Sequence, residues 1–162
     1  RVKKQEKQER KSVLDGIAYH CPSLLQAEKL QKRVSRYGFD WTEQRQILDK
    51  IQEELDEVRS ALNSGDEEHT DEEIGDLLFA VANLSRFRKR ASGEELLARA
   101  NRKFGTRFRY IERRLSERGR TLEESSLDEM ESLWNEAKKV EEKVENTTKK
   151  VGQKVREFKN KK

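Results

Sequence analysis

The sequence contains few of the residues that cross-link or interrupt a fold: one cysteine, one proline and eight glycines among 162 residues. Because Cys21 stands alone, no internal disulfide can form, which fits a reducing compartment such as the cytoplasm. The longest strongly apolar run, residues 77–84, is far too short to cross a bilayer, so no membrane association is expected. The chain opens without the pattern of a secretory signal peptide. Because it begins with Arg1 rather than methionine, we expect it to be part of a longer protein.

Patterns typical of β-strands are also missing, because no stretch alternates cleanly between apolar and polar residues. Only 32% of the residues are hydrophobic, whereas 42% are charged. This composition still allows helices that each bury one apolar stripe. We therefore predict an all-α protein with one domain and charged ends.

The net charge of +4 is unevenly distributed along the chain. Residues 1–11 carry +4 and residues 138–162 carry +6, which leaves −6 on the residues between them. Basic ends either bind nucleic-acid phosphates without sequence preference or act as solubilising extensions. Because the central part is acidic, its carboxylates are the first candidates for functional residues.

Capping residues and glycines divide the chain into five predicted helices. Their approximate ranges are 22–38, 42–62, 66–88, 92–119 and from 126 onward. We predict an antiparallel helical bundle over residues 13–138. A charged lead-in, 1–12, precedes it, and a basic extension, 139–162, follows it and is expected to be helical only when docked.

Two acid pairs flank the short turn between the second and third helices. Glu54 and Glu57 precede the turn, Glu73 and Asp76 follow it, and each pair has the i, i+3 spacing that places both side chains on one side of a helix. Since a short turn places its two helices antiparallel and adjacent, the four carboxylates can converge. Converging carboxylates repel one another unless a hard cation such as Mg²⁺ or Mn²⁺ is bound. The alternatives are a solvated helix face and, for Glu73, a capping box with Thr70.

Four further residues each have a functional and a structural interpretation. Lys103 and Arg107 share one helix face and suit the charge of a polyphosphate, or are solvated. Trp41 is interpreted as a core plug between helix ends, in preference to a base-stacking platform. Trp134 either stacks on a nucleobase or closes the end of the bundle.

Several segments, in the order in which they follow one another along the chain, resemble the MazG family of nucleoside triphosphate pyrophosphohydrolases, in the all-α NTP pyrophosphatase group. The resemblance covers roughly residues 12–138, and residues 12–30 resemble the entry to the C-terminal catalytic domain of two-domain members. The segments that carry it are residues 24–41, Glu53-Glu54-x-x-Glu57, Glu73-x-x-Asp76, residues 100–108 and residues 126–134.

The resemblance implies a homodimeric bundle that hydrolyses an NTP or dNTP to the nucleoside monophosphate and pyrophosphate, and that clears non-standard or excess nucleotides. It implies Mg²⁺, or Mn²⁺, held by Glu54, Glu57, Glu73 and Asp76. The implied nucleotide contacts are Lys50, Glu53, Glu72, Lys103, Arg107 and Trp134. Glu53 is a candidate general base beside the catalytic ligands Glu54 and Glu57, although its position on the helix turns it away from the apolar seam.

Three features depart from the resemblance. His69 stands where related members often carry lysine, and we expect it to be exposed near the turn. Gly105 and Thr106 replace a usually charged pair, and Gly105 weakens its helix by about 1 kcal/mol relative to alanine. The extension after Lys138 has no counterpart. The alternative function is a non-catalytic helical module that binds nucleotides or nucleic acid through its basic ends.

Overall fold

The computed structural model describes residues 11–17 and 20–159. Most of the predicted lead-in, 1–12, therefore lies outside the described residues. The described residues form five helices and no strand, which confirms the all-α prediction. The helices are α1 (Ser23–Ser35), α2 (Gln44–Ser64), α3 (Glu67–Arg88), α4 (Gly93–Glu117) and α5 (Leu127–Lys159). None of the described helices is both long and apolar enough to cross a membrane.

The chain divides into two compact units, residues 1–98 and residues 99–162, and each is described by itself. The first unit holds α1, α2, α3 and the first residues of α4. The second unit holds the rest of α4 and all of α5.

In the first unit, α3 packs against both α1 and α2. The contact surface of α2 repeats at helical spacing and includes the buried residues Ile47, Val58 and Ala61. The facing part of α3 buries Ala80 and Ala82.

The turn between α2 and α3 fixes their antiparallel arrangement. Gly65 ends α2 in the left-handed conformation at φ 74°, which glycine adopts without strain. Asp66 then caps α3 by accepting a hydrogen bond from the His69 backbone N–H at 3.0 Å. Because α3 already begins at Glu67, the alternative capping box of Thr70 and Glu73 is wrong. The Thr70 hydroxyl instead donates to the Asp66 carbonyl at 2.7 Å.

The second unit has its own apolar core between α4 and α5. Ile111 and Leu115 of α4 are buried with Leu133 of α5, and Phe108, Leu122, Met130 and Trp134 pack around them. The basic extension continues α5 without a break to Lys159. Thr147 and Thr148 do not interrupt the helix, because their hydroxyls donate to the carbonyls of Lys143 and Val144, four residues earlier.

Candidate active site

Three of the four predicted metal-binding acids come together between α2 and α3. Glu54 and Glu57 of α2 and Glu73 of α3 each place a carboxylate oxygen within 4.8 Å of the other two. Glu54 is buried, Glu73 is half-buried and Glu57 is exposed. The i, i+3 spacing on α2 and the antiparallel position of α3 produce this convergence. We call these three residues the acidic cluster.

Asp76, the fourth predicted ligand, does not belong to the acidic cluster. It lies one turn beyond Glu73 on α3 and is exposed. Asp76 and Glu54 both line a neighbouring cavity of about 380 Å³. The structure therefore places Asp76 beside the cluster, at the wall of this cavity.

Lys50 is held against the acidic residues of α2. Its ammonium group lies 2.7 Å from Glu53 Oε1 and 2.7 Å from Glu54 Oε1. The hydrogen bonds to Glu53 and Glu54 raise the pKa of Lys50, so the amine stays charged. Glu53, the candidate general base, is thus paired with a cation and its side chain is 57% exposed.

Crowding of the carboxylates affects Glu57 in particular. Desolvation, a hydrogen bond with Glu54 and the negative charges of Glu54 and Glu73 raise the pKa of Glu57, whereas the charge of Lys50 opposes the rise. A raised carboxyl pKa next to two further carboxylates is the electrostatic conflict that a bound divalent cation removes. With oxygen donors only, the cluster suits a hard cation such as Mg²⁺.

His69 lies at the edge of the acidic cluster. Its Nδ1 atom is 3.4 Å from Glu73 Oε1 and 3.9 Å from Glu72 Oε2, and its side chain is 49% exposed. The expectation of an exposed His69 is confirmed. When protonated, its imidazole adds a positive charge beside Glu72 and Glu73.

The cavity beside the acidic cluster is lined by Phe39, Trp41 and Phe79, and by polar side chains of all three helices. Trp41 is 40% exposed, so the interpretation of Trp41 as a core plug is wrong. The turn that carries it is attached to α3 instead, because Arg86 donates to Asp40 Oδ2 at 3.1 Å. The role of Arg86 is not predictable from local sequence, because its partner lies 46 residues earlier in the chain.

Lys103, Arg107 and Trp134 belong to the second unit. Arg107 donates through Nε and Nη2 to Glu141 Oε2, at 2.9 and 2.8 Å, and its guanidinium carbon lies 5.3 Å from the centre of the Trp134 ring. The Trp134 ring also packs against Phe104, with ring centres 5.4 Å apart. Lys103 is exposed. Trp134 therefore takes part in packing α5 against α4.

Comparison with known proteins shows that the chain is similar to nucleoside triphosphate pyrophosphohydrolases. Residues 42–111 match the model of the MazG nucleotide pyrophosphohydrolase domain. The chain is 41% identical over 132 residues to a nucleoside triphosphate pyrophosphohydrolase of Escherichia coli K12, an alignment that covers 80% of this chain and 50% of that protein. It is 38% identical over 138 residues to the nucleoside triphosphate pyrophosphohydrolase/pyrophosphatase MazG of Thermotoga maritima, covering 85% and 52%. It is also 42% identical over 142 residues to the uncharacterised protein YabN of Bacillus subtilis, covering 86% and 29%. The chain spans about half the length of the first two relatives.

Proposed function

We propose that the chain hydrolyses nucleoside triphosphates to the monophosphate and pyrophosphate with the help of Mg²⁺, because residues 42–111 match the MazG nucleotide pyrophosphohydrolase domain. The observation that carries this proposal is the acidic cluster, in which carboxylate oxygens from two helices lie within 4.8 Å of one another. The named relatives support the substrate class, since two of them are called nucleoside triphosphate pyrophosphohydrolases. Clearance of non-standard or excess nucleotides is the physiological role we propose for this reaction.

Glu54, Glu57 and Glu73 would hold the metal ion, and Asp76 would complete the set from the adjacent turn of α3. When bound, Mg²⁺ or Mn²⁺ supplies Lewis acidity that offsets the charge of the triphosphate and favours attack by water. The residues fit the ion because they offer oxygen donors only and because a single ammonium group, that of Lys50, compensates only part of their mutual repulsion.

The remaining residues act on the substrate and on the water. Lys50 orients the carboxylates of Glu53 and Glu54 through its two short ion pairs, and it is available to contact a phosphate. Glu53 is the proposed general base and accepts a proton from the attacking water. Its carboxylate lies 2.7 Å from the Lys50 ammonium group, so Lys50 would have to leave Glu53 in order to contact the substrate.

In the second unit, Lys103 and Arg107 are the proposed partners of the triphosphate, together with Trp134 as a further nucleotide contact. Glu72 of α3 is also a proposed contact of the nucleotide. Arg107 has a carboxylate partner, Glu141, in the absence of substrate. A phosphate would therefore have to displace Glu141 before Arg107 could bind it in the bidentate manner that suits a guanidinium.

The test is product analysis on a panel of NTPs and dNTPs, with Mg²⁺ and with EDTA. We expect equal amounts of monophosphate and pyrophosphate, and no turnover in EDTA. Glu57→Ala should reduce turnover at least about 100-fold, because it removes a metal ligand. It should also abolish the increase in melting temperature that Mg²⁺ gives the unchanged protein.

Asp56→Ala is the matched control, since Asp56 adjoins Glu57 on α2 but is 59% exposed and pairs only with neighbouring surface side chains. It should leave both turnover and the Mg²⁺ effect almost unchanged. Formation of diphosphate and phosphate would contradict the proposed reaction. Mg²⁺-dependent turnover retained in Glu57→Ala would remove Glu57 from the metal site.

A further inference from the structure

A second cavity of the first unit, of about 780 Å³, lies between α1 and the segment that joins α3 to α4. The basic side chains of its wall are Lys29, Lys32, Arg36, Arg86, Lys89 and Arg90. Its acidic side chains are Glu28, Asp40 and Glu95, so the wall carries a formal net charge of +3. We call it the basic cavity. Because its wall is concave and carries excess positive charge, it raises the local concentration of anions.

Two of the three acids in this wall are bound to other groups. Asp40 accepts a hydrogen bond from Arg86 Nη1 at 3.1 Å. Glu28 Oε1 accepts from the Ser85 hydroxyl at 2.6 Å and from the Gly93 backbone N–H at the start of α4. The charge of Glu28 is thus directed at the N-terminus of α4, where a negative charge is favourable. Neither acid forms an ion pair with the remaining cations of the wall.

The five remaining cations of the basic cavity are all exposed to solvent. The described part of the chain offers none of them an ion-pair partner within 4.0 Å. They come from two separate parts of the first unit, α1 and the segment after α3: Lys29, Lys32, Arg36, Lys89 and Arg90. Since like charges repel, their convergence is unfavourable unless an anion lies between them.

The backbone of Lys89 is the exceptional feature of this wall. Lys89 follows α3 in the left-handed conformation at φ 54°, and among the described residues no other non-glycine residue has a positive φ. The left-handed residues after α1, α2 and α4 are Gly38, Gly65 and Gly119. Because a Cβ atom is strained in this conformation, glycine would be the more stable residue here. A strained lysine in the wall of a cavity therefore indicates a function for its side chain.

Cations near helix ends also have a structural explanation, because they offset the partial negative charge of a helix C-terminus. This explanation covers Lys32, in the last turn of α1, and Lys89, after α3. It does not cover Lys29, which lies in the middle of α1. It does not cover Arg90 either, which precedes α4, since a positive charge is unfavourable at a helix N-terminus. The helix ends thus account for only part of the convergence.

The composition of the wall also determines which class of anion fits. None of the described residues that line the basic cavity is aromatic, so the wall lacks the rings on which single-stranded nucleic acids stack. Ammonium and guanidinium groups bind phosphate oxygens through charge-assisted hydrogen bonds. We propose that the basic cavity binds a free inorganic oligophosphate, such as pyrophosphate or tripolyphosphate, which presents several negative charges in a small volume.

The basic cavity differs from the proposed active site. The two cavities share Asp40 and Arg86 in their walls, but no residue of the acidic cluster lines the basic cavity. Binding there does not rest on the proposed function, because it requires neither Mg²⁺ nor turnover. Since pyrophosphate is also a product of the proposed reaction, tripolyphosphate in EDTA is the probe that we choose.

Isothermal titration calorimetry of the full chain with tripolyphosphate, in EDTA and about 150 mM salt, measures this binding. We expect one tripolyphosphate per chain. Lys89→Gly should weaken the affinity about 10-fold or more, because a hydrogen bond between two charged groups is lost. The same change should not lower the melting temperature, because glycine adopts φ 54° without strain. A loss of affinity would thus not be due to misfolding.

Arg88→Met is the matched control for Lys89→Gly. Arg88 directly precedes Lys89, carries the same charge and is exposed, but it does not line the basic cavity. Its replacement should leave the affinity for tripolyphosphate nearly unchanged, because salt screens exposed charges that do not contact the ligand. Lys103→Met tests the proposed active site in the same way and should also leave this affinity nearly unchanged.

The outcomes separate this proposal from the proposed function. Equal losses in Lys89→Gly and Arg88→Met, or a loss in Lys103→Met alone, would overturn it, because the anion would then be held by the overall charge or at the active site. Tighter binding of a single-stranded oligonucleotide, also lost in Lys89→Gly, would overturn the choice of ligand. NTP hydrolysis by a protein that does not bind tripolyphosphate would overturn the basic cavity as a site and leave the proposed function intact. Binding without any NTP hydrolysis would support the site and reject the proposed function.

Discussion

At the scale of single residues, the arrangement around Glu54 depends on one cation. Glu54 is buried at 5% exposure, and Lys50 is its partner at 2.7 Å. A buried carboxylate without a cation is unfavourable because desolvation of its charge is no longer compensated. In the absence of metal, Lys50 therefore acts as the counter-ion of the acidic cluster.

We predict that Lys50→Met lowers the free energy of unfolding by about 1–3 kcal/mol in metal-free buffer, as measured by urea denaturation. The value is at the lower end of losses seen for buried pairs, because the Lys50 side chain is 35% exposed and solvent screens its charge. Adding Mg²⁺ should restore part of the loss, since the ion would provide the missing positive charge.

Arg59→Met is the comparison for Lys50→Met. Arg59 lies on the same helix, but its pair with Asp56 is exposed on both sides, at 64% and 59%. Such pairs contribute at most about 1 kcal/mol, and Mg²⁺ should not compensate for this one. Equal losses in the two variants would mean that Lys50 does not neutralise a buried charge.

The sequence was informative about those residues whose position depends on local spacing. Glu54, Glu57 and Glu73 could be placed together because an i, i+3 pair and one short turn determine the geometry. Trp41 and Arg86 could not be placed in this way. Their environment depends on the contact of Asp40 with Arg86 of α3, which are 46 residues apart in the chain. The periodicity of a sequence predicts neighbours on one helix, but it does not predict a contact between residues so far apart.

At the scale of helices, α4 contains one glycine that destabilises its interior and is followed by another glycine that ends the helix. Gly105 lies within the helix, where glycine is less favourable than alanine. After the helix, Gly119 adopts φ 66°, the Gly119 N–H donates to the Ser116 carbonyl at 2.9 Å, and the Arg120 N–H donates to the Leu115 carbonyl at 3.0 Å. This hydrogen-bond pattern closes the helix with a left-handed residue.

We predict opposite effects of the same substitution at these two positions. Gly105→Ala should raise the free energy of unfolding by up to about 1 kcal/mol, reduced by the shift required of the Arg109 guanidinium, 3.3 Å from the new methyl group. Gly119→Ala should lower it by about 1 kcal/mol, because a Cβ atom is strained at positive φ. Urea denaturation measures both, and a loss of stability in Gly105→Ala would show that Arg109 cannot move aside.

Helix ends were predicted well where a side chain caps them. Ser92 and Ser126 accept hydrogen bonds from the backbone N–H groups of Glu95 and Glu129, each at 3.2 Å, as their spacing indicated. The continuity of α5 was not predicted. The extension was expected to be helical only when docked, but the cost of its threonine and glycine residues is small beside the cooperativity of a long helix.

At the scale of the whole molecule, α3 exposes a row of large apolar side chains among the described residues. Residues 77–82 are all apolar, so every side of this stretch is hydrophobic. Ala80 and Ala82 are buried, whereas Ile74, Leu78 and Val81 are 42%, 54% and 45% exposed. These three lie at i, i+4 and i+7, on one side of the helix. A helix that is apolar all round is normally buried, so a second copy of the chain is the partner we propose for this side.

We predict that the protein sediments as a homodimer and that Leu78→Lys converts it to a monomer, because the charged side chain would be desolvated in the interface. Leu62→Lys is the control: Leu62 is 61% exposed near the α2–α3 turn, and its loss should leave the dimer intact. Sedimentation velocity over a range of concentrations distinguishes the two variants. If the unchanged protein sediments at the mass of one chain at every concentration, or if Leu78→Lys remains dimeric, then this side of α3 is not the dimer interface. The exposed residues would in that case be surface positions whose hydrophobicity serves no association between copies.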